Sequence, residues 1–275
     1  PAFYDHLAHV HDWGRWRPWQ FRCALRRSPA VGGEIRYFES GKSLYTYIDY
    51  DAGYQELNTF MLIGSITNSS GTVFGATVDY RLSPILTTRN ALIGQPVDSI
   101  DALSELYSMS DIRQFAQDRT AQSRYVTLSV TQPMNDNYQL YSAISQSDYG
   151  STETSGGIEG YEGTGSEYNY ELQLIGQNVF TENDSHIFSL RHFDGSTTDR
   201  TAFGVSARYR LGTAWQIQPK IWVEYRENAR DDSEQWSVRP SLRLQYRWNR
   251  RYHFELEFGY DWSDRDIPLY GNEVV

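Results

Sequence analysis

Residues 200–262 alternate apolar and polar side chains over four successive stretches, and this alternation constrains the fold more than any other feature. The clearest stretch is 236–248, where apolar residues occupy the even positions and Ser, Arg or Gln the odd positions. Successive side chains of a β-strand point to opposite faces of the sheet. The pattern therefore predicts antiparallel strands with one hydrocarbon face and one charged face.

Two architectures share this alternation. Soluble sandwiches and small barrels turn the apolar face inward, whereas transmembrane barrels turn it toward lipid and enclose the charges. At about 3.3 Å per residue, 236–248 spans roughly 40 Å, and with a tilt of about 40° it crosses roughly 30 Å, the thickness of a hydrocarbon core. Soluble strands average only about five or six residues. We therefore expect an all-β, antiparallel transmembrane β-barrel of the bacterial outer membrane.

Aromatic residues flank the predicted strands at the levels where the two bilayer interfaces would lie. One predicted girdle, beside the short turns, consists of Trp215, Trp248 and Tyr252. The other, beside the longer loops, consists of Tyr225, Trp236, Tyr260 and Trp262.

Charged residues occupy the opposite register. An Arg facing lipid at mid-bilayer would cost roughly 2–4 kcal/mol, so these side chains are predicted to line the lumen. They are Arg208, Arg210, Lys220, Glu224, Arg226, Arg239, Arg243, Arg247, Glu255, Glu257 and Asp261. Two interpretations stay open: a ladder of ion pairs that stiffens the wall, or a selectivity surface for charged or sugar solutes.

Composition excludes several classes of protein. A net charge of −10 argues against nucleic-acid binding. Mean hydropathy of −0.61 and the lack of any run of eighteen apolar residues exclude a helical membrane protein, but not a barrel, in which only alternate residues meet lipid. Cys23 is the single cysteine, so no internal disulfide can form.

The first 32 residues form a poorly defined segment. Residues 13–27 are basic and aromatic without a clean period, which fits a weakly specified strand, an amphipathic surface segment or sequence foreign to the fold. His6, His9 and His11 fit a solvated terminus better than a metal site, because no carboxylate or cysteine at suitable spacing completes the set. We predict no metal and no cofactor. Since the chain starts at Pro1 and stops in an expected loop, we interpret it as a fragment shortened at both ends.

Residues 33–275 are predicted to form the barrel, with about twelve visible strands and about fourteen once one strand is added at each end, the last beyond Val275. Connections are predicted to alternate between short periplasmic turns and longer external loops. The short ones are 41–43, 67–71, 132–136, 181–185, 212–214 and 249–251, and the others are 51–56, 83–123, 147–166, 194–200, 227–235 and the residues after 262.

The connection 83–123 contains a predicted helical insert over 98–120. Asp98 or Ser99 is expected to cap a first helix, and Ser110 a second. Each helix is short and needs a packing partner. The insert is either a plug or gate in the lumen or a cap over the loops.

A catalytic role has little support. His253 and Glu255 share a face, and Ser241 or Ser237 could act as a nucleophile on the adjacent strand. However, no G-x-S-x-G turn is present, and residue types alone do not define a triad. We therefore predict a protein that is not an enzyme and assign no catalytic residue.

Several short runs together resemble a known family. They are DYRLSP at 79–84, NALIGQ at 90–95, DRT at 118–120, WSVRPSLR at 236–243 and WSDRD at 262–266. Over roughly residues 33–270 the chain resembles the C-terminal barrel of bacterial tetratricopeptide-repeat outer-membrane proteins. The resemblance implies a periplasmic repeat region upstream and a layout similar to exopolysaccharide exporters of the Gram-negative envelope.

Three functions follow as hypotheses. The first is a conduit or porin, with polysaccharide export as the implied use. The second is a non-conducting outer-membrane anchor or surface-display barrel, and the third is an envelope hydrolase. Expected partners are outer-membrane lipid, periplasmic proteins and a polysaccharide or small solute, but no nucleic acid.

Overall fold

The computed structural model describes residues 19–25, 30–249, 251–268 and 271–274, and over this range the protein is all-β with a short helical insert. The strands form one antiparallel sheet in which chain neighbours pair, and β12 pairs with both β13 and β14. The strands are β1 (Trp19–Leu25), β2 (Ala30–Glu39), β3 (Lys42–Asp51), β4 (Glu56–Thr67), β5 (Val73–Ser83), β6 (Ala121–Pro133), β7 (Tyr138–Tyr149), β8 (Gly165–Gln177), β9 (Ser185–Asp194), β10 (Thr198–Leu211), β11 (Trp215–Asn228), β12 (Ser233–Trp248), β13 (Tyr252–Gly259), β14 (Trp262–Ile267) and β15 (Gly271–Val274). The predicted all-β, antiparallel fold class is confirmed.

β13 and β14 are two parts of one strand run. β12 pairs with β13 up to Ser241 opposite Gly259, and resumes with β14 at Val238 opposite Trp262, in the same register. The ladder is interrupted at Pro240, which has no backbone N–H to donate. Its carbonyl still accepts from the backbone N–H of Tyr260 at 3.1 Å. If β13 and β14 are counted together, the described residues contain fourteen strand runs.

The two ends of the sheet differ from expectation. β1 lies inside the segment 1–32 and pairs with β2, from Trp19 opposite Tyr37 to Leu25 opposite Val31. Its sequence, WQFRCAL, does alternate, but the aromatic and basic residues before it hide the period. At the other end, residues 262–267 are strand rather than loop, and β15 pairs with β14 before the chain reaches Val275. His6, His9 and His11 lie outside the described residues.

Connection lengths alternate less than the sequence predicts, because the strands extend further than their apolar pattern. The loop expected at 227–235 shrinks to 229–232, and the one at 194–200 shrinks to 195–197. The turn 178–184 is longer than either. Only 84–120 and 150–164 remain long connections among the described residues.

The chain divides into two compact units. One contains the residues up to Thr67, Gly75–Leu128 and Gln146–Ser166, and the other contains Asn68–Phe74, Ser129–Ser145 and the residues from Glu167 onward. The helical insert belongs to the first unit. It contains a 3₁₀-helix (Thr88–Leu92), α1 (Ile100–Ser104) and α2 (Met109–Asp118).

Caps and a small core stabilise the insert. Ser99 caps α1, as predicted, by accepting from Ala102 N at 3.2 Å. The prediction that Ser110 caps the second helix is wrong: Ser108 is the cap, because Asp111 three residues later completes a reciprocal capping box with it. Fully buried apolar residues then hold the helices against the end of β5. They are Leu82, Leu86, Ala91, Leu103, Ile112 and Ala116.

Within the same unit, the loop 150–164 docks on the insert through Arg119. The guanidinium donates to the carbonyl oxygens of Ala91 and, at 3.1 Å, of Ser155. It is 6% exposed, and burial lowers its pKa. Gln95 adds a bond from Nε2 to Gly156 O at 2.9 Å. One buried side chain therefore ties the two long connections together.

In the second unit, a buried carboxylate organises the turn 178–184. Asp184 accepts from the backbone N–H groups of Val179, Phe180 and Thr181 at 2.7–2.8 Å, and His186 Nε2 lies 3.3 Å away without hydrogen-bond alignment. Burial alone would raise the pKa of Asp184. The three N–H donors and His186 outweigh it and hold the pKa well below the usual range.

Candidate functional site

The predicted charged residues of β10 to β13 lie on one face of the sheet, which continues over β8 and β9 and which we call the polar face. The pairing registers of β11 with β12 and of β12 with β13 place charged and polar side chains opposite one another. The pairs across these strands are Lys220 with Ser241, Glu224 with Ser237, Arg226 with Gln235, Arg243 with Glu257, Gln245 with Glu255 and Arg247 with His253.

Two ion-pair clusters stand on this face. Arg243 donates from Nη2 to Glu257 at 2.8 Å, and its Nε lies 3.3 Å from Glu255. Glu224 forms ion pairs with Arg239 at 3.2 Å and with Arg226 at 3.1 Å. The Glu224 side chain is only 12% exposed, whereas those of its two partners are 40–47% exposed. The structure thus brings together six of the predicted charged residues as cross-strand or same-strand pairs.

The other predicted charged residues lie on the polar face but form no ion pair with a described residue. Arg210 and Arg247 line a recess of about 500 Å³ beside the turn 212–214. Arg208 faces Ser185 of β9. Asp261, between β13 and β14, shares a second recess of about 370 Å³ with Lys220.

The opposite face carries the apolar side chains, and it is the uncovered one. In β11 and β12, Ile221 is 41% exposed, Trp236 51% and Leu242 36%, whereas β13 is exposed on both faces. On the polar face Ser237 is 6% exposed. Soluble proteins normally show the reverse distribution, since large apolar side chains are the ones that folding buries.

The predicted girdle aromatics lie on the apolar face, five of them near the strand ends. Trp248 stacks obliquely with Tyr252, with ring centroids 5.6 Å apart, close to Trp215 at the same end. Tyr225 and Trp236 form the corresponding pair at the other end, 4.9 Å apart. The two remaining members, Tyr260 and Trp262, lie opposite Pro240 and Val238, in the middle of the run 252–267 rather than beside a loop.

One recess on the polar face combines aromatic rings with cations. It has a volume of about 270 Å³ and lies over β8 to β12, around the indole of Trp222. Its lining residues are Asn169, Arg191, Phe193, Arg200, Ala202, Lys220, Trp222, Glu224 and Arg239. The recess of about 370 Å³ adjoins it and shares Lys220, Trp222 and Arg239.

The indole of Trp222 can lie flat because the residue opposite it, Gly204 of β10, has no side chain. A Cβ added to Gly204 would lie 2.8 Å from each of Cε2, Cε3 and Cη2 of the indole. Those atoms are spread around the six-membered ring, so the ring face covers the Gly204 backbone. Arg191 Cζ lies 5.1 Å and Lys220 Nζ 5.7 Å from the ring centroid, within the range of cation–π attraction.

Sequence reasoning predicted three of the nine lining residues, namely Lys220, Glu224 and Arg239, and missed Trp222 and two of the four cations. Trp222 falls in the polar register of its strand, and an aromatic residue among charged ones was the available signal. Arg191 and Arg200 lie on strands whose alternation is weaker. Arg191 pairs with Glu171 of β8 at 2.7 Å, and Arg200 Cζ stands 5.7 Å from the Phe193 ring centroid.

No model of a known protein family matches the chain, and no curated protein matches it. The resemblance to the tetratricopeptide-repeat outer-membrane proteins therefore stays a prediction.

The structure does not assemble the imagined triad. Ser241 faces Gly259, and His253 faces Arg247, so the two side chains lie six residues apart along the ladder. At about 3.3 Å per residue this separation is roughly 20 Å, beyond hydrogen-bond reach. Within the described ranges, no group of three or more His, Cys, Asp or Glu residues could hold a metal ion.

The helices of the insert are short. Among the described residues, none has both the length and the apolar composition needed to cross a membrane.

Proposed function

We propose that this chain is an outer-membrane β-barrel whose polar face lines a conduit for a hydrophilic solute. The observation that carries the proposal is the inverted burial in β11 and β12, where the apolar Ile221, Trp236 and Leu242 are 36–51% exposed while Ser237 is 6% exposed and the Glu224 side chain 12%. Such a sheet is unstable in water but suited to lipid, where its apolar face is solvated and its charges are enclosed.

Strand length supports the same conclusion. β10 and β11 contain 14 residues each and β12 contains 16, whereas strands of soluble proteins average about five or six. A membrane strand needs about 9–11 residues to cross the hydrocarbon layer, which leaves room for tilt and for aromatic ends. The described residues contain fourteen strand runs, an even count that fits the bacterial rule.

The use of the conduit is proposed to be export of a polysaccharide, in concert with periplasmic proteins. Support comes from the chemistry of the polar face, where arginines, carboxylates, amides and one flat indole provide hydrogen-bond donors and acceptors along several strands. A hydrated polymer needs many weak polar contacts rather than one tight site if it is to move.

Neighbouring positions 256 and 257 give a sharp test. In a chain whose Cys23 is replaced by Ser, single cysteines are introduced as Leu256→Cys or Glu257→Cys and the protein is reconstituted in lipid vesicles. A membrane-impermeant maleimide should label position 257 and leave position 256 unlabelled, because adjacent strand residues face opposite sides. Equal labelling of the two positions in vesicles would refute the proposal.

A second candidate, a non-conducting anchor that displays its loops, is favoured by the packed insert with its completely buried Leu103 and Ile112. Measurement of ion current through planar bilayers distinguishes the conduit from the non-conducting anchor. The conduit proposal expects ion conductance and labelling of Arg243→Cys from both sides of the membrane. A closed barrel would show neither.

A further inference from the structure

We propose that the recess over Trp222 is a subsite for a carboxylated sugar unit of an acidic polysaccharide. This inference rests on the proposed function, because the recess must face water for a polymer to reach it. It adds the chemical class of the solute and the residues that bind it.

Charge in the recess points to an anion. Although the chain has a net charge of −10, this recess is lined by four cations and a single carboxylate. Glu224 already serves Arg239 and Arg226, and Arg191 is paired with Glu171. Lys220 and Arg200 form no ion pair with a described residue, and the carboxylate of Asp261 lines the adjoining recess rather than this one. Two positive charges of this recess therefore lack a salt-bridge partner. A ligand carboxylate would compensate them.

The aromatic floor points to a sugar rather than a simple anion. The indole of Trp222 lies flat over Gly204, and Ala202 beside it is small, so β10 leaves the floor of the recess open at these two positions. The C–H face of a pyranose ring packs on such a flat aromatic surface while its hydroxyl groups stay free for polar partners. A simple inorganic anion would gain nothing from the indole.

The neighbouring recess extends the site along the sheet. Because both recesses share Lys220, Trp222 and Arg239, a ligand seated on Trp222 can continue into the second one. The fixed orientation of the indole also limits the entropy lost when a sugar binds. Two adjacent sugar units of one chain therefore fit the geometry better than a single monosaccharide does.

Calorimetry on the full chain in detergent tests the subsite with hexagalacturonate, an acidic oligosaccharide, and with maltohexaose, a neutral one of equal length. We expect hexagalacturonate to bind and maltohexaose to bind at least about tenfold more weakly. Trp222→Ala and Lys220→Gln should each raise the Kd for hexagalacturonate about tenfold. Arg247→Gln is the matched control, because Arg247 also lies on the polar face without an ion pair to a described residue, but outside this recess.

Three results would overturn the subsite: a loss of affinity in Arg247→Gln equal to that in Lys220→Gln, equal binding of maltohexaose, or competition by acetate at the same carboxylate concentration. Circular dichroism confirms that each variant keeps its strand content. The vesicle labelling at 256 and 257 distinguishes the two proposals. If position 256 stays unlabelled while hexagalacturonate fails to bind, only the subsite falls. If position 256 is labelled freely, the proposed function falls and the subsite falls with it.

Discussion

The indole face of Trp222 covers the backbone of Gly204, its register partner on the neighbouring strand. The ring occupies the space that any side chain at 204 would fill. Glycine in a strand interior usually weakens the sheet, since it has no side chain to pack. Here the neighbouring aromatic supplies the missing contact, so one position determines the orientation of the other.

Substitution of Gly204 should displace the indole. In Gly204→Ala the new Cβ would meet three ring atoms at 2.8 Å, so we expect a loss of about 1–3 kcal/mol in unfolding free energy and a changed near-ultraviolet dichroism signal. The control is Gly259→Ala, whose Cβ would find its nearest atom at 3.7 Å. If the two variants lose the same free energy of unfolding, the Trp222–Gly204 contact does not constrain the ring.

The Arg243–Glu257 pair should contribute little to stability. Its side chains are 41% and 50% exposed, and exposed ion pairs are worth about 0.2–1 kcal/mol. A double-mutant cycle of Arg243→Gln and Glu257→Gln, measured by chemical unfolding in detergent, should give a coupling energy within that range. A coupling of about 3 kcal/mol would show that the pair is desolvated.

Loss of Arg119 should release the loop 150–164 from the insert. In Arg119→Met the apolar volume remains, but the bonds to the carbonyls of Ala91 and Ser155 are lost. We expect faster hydrogen exchange at residues 155–158, while exchange in α2 changes less. Arg113→Met on the same helix removes an exposed guanidinium and should leave the loop unchanged. Equal exchange in both variants would contradict a docking role for Arg119.

Asp184 should make stability depend on pH. Because its folded pKa is lowered, its contribution is fully present above the unfolded value of about 3.9 and is lost as the pH falls toward the folded pKa. The melting temperatures of wild type and Asp184→Asn should therefore differ more at pH 7 than at pH 3. His186 is present in both proteins. A difference that stays constant between these pH values would show that the carboxylate charge plays no part.

Local pattern predicted the strand faces well. The alternations in 236–248 and 252–262 placed Arg243 and Glu257 on one side and Leu242 and Phe258 on the other, as the register has them. It failed at the cap of the second helix, although the signal there is local. Ser110 looks as good a cap as Ser108 until Asp111 is seen to complete the box at Ser108.

The sequence alone determined that this chain forms antiparallel strands with one apolar and one charged face, because a period of two is a property of the extended backbone itself. Only the tertiary structure decided where Trp222 lies, which cations it meets and how Arg119 joins two loops. Those contacts join residues up to 36 positions apart in the sequence, and pairings of that kind are fixed by strand register and packing rather than by any local run of residues.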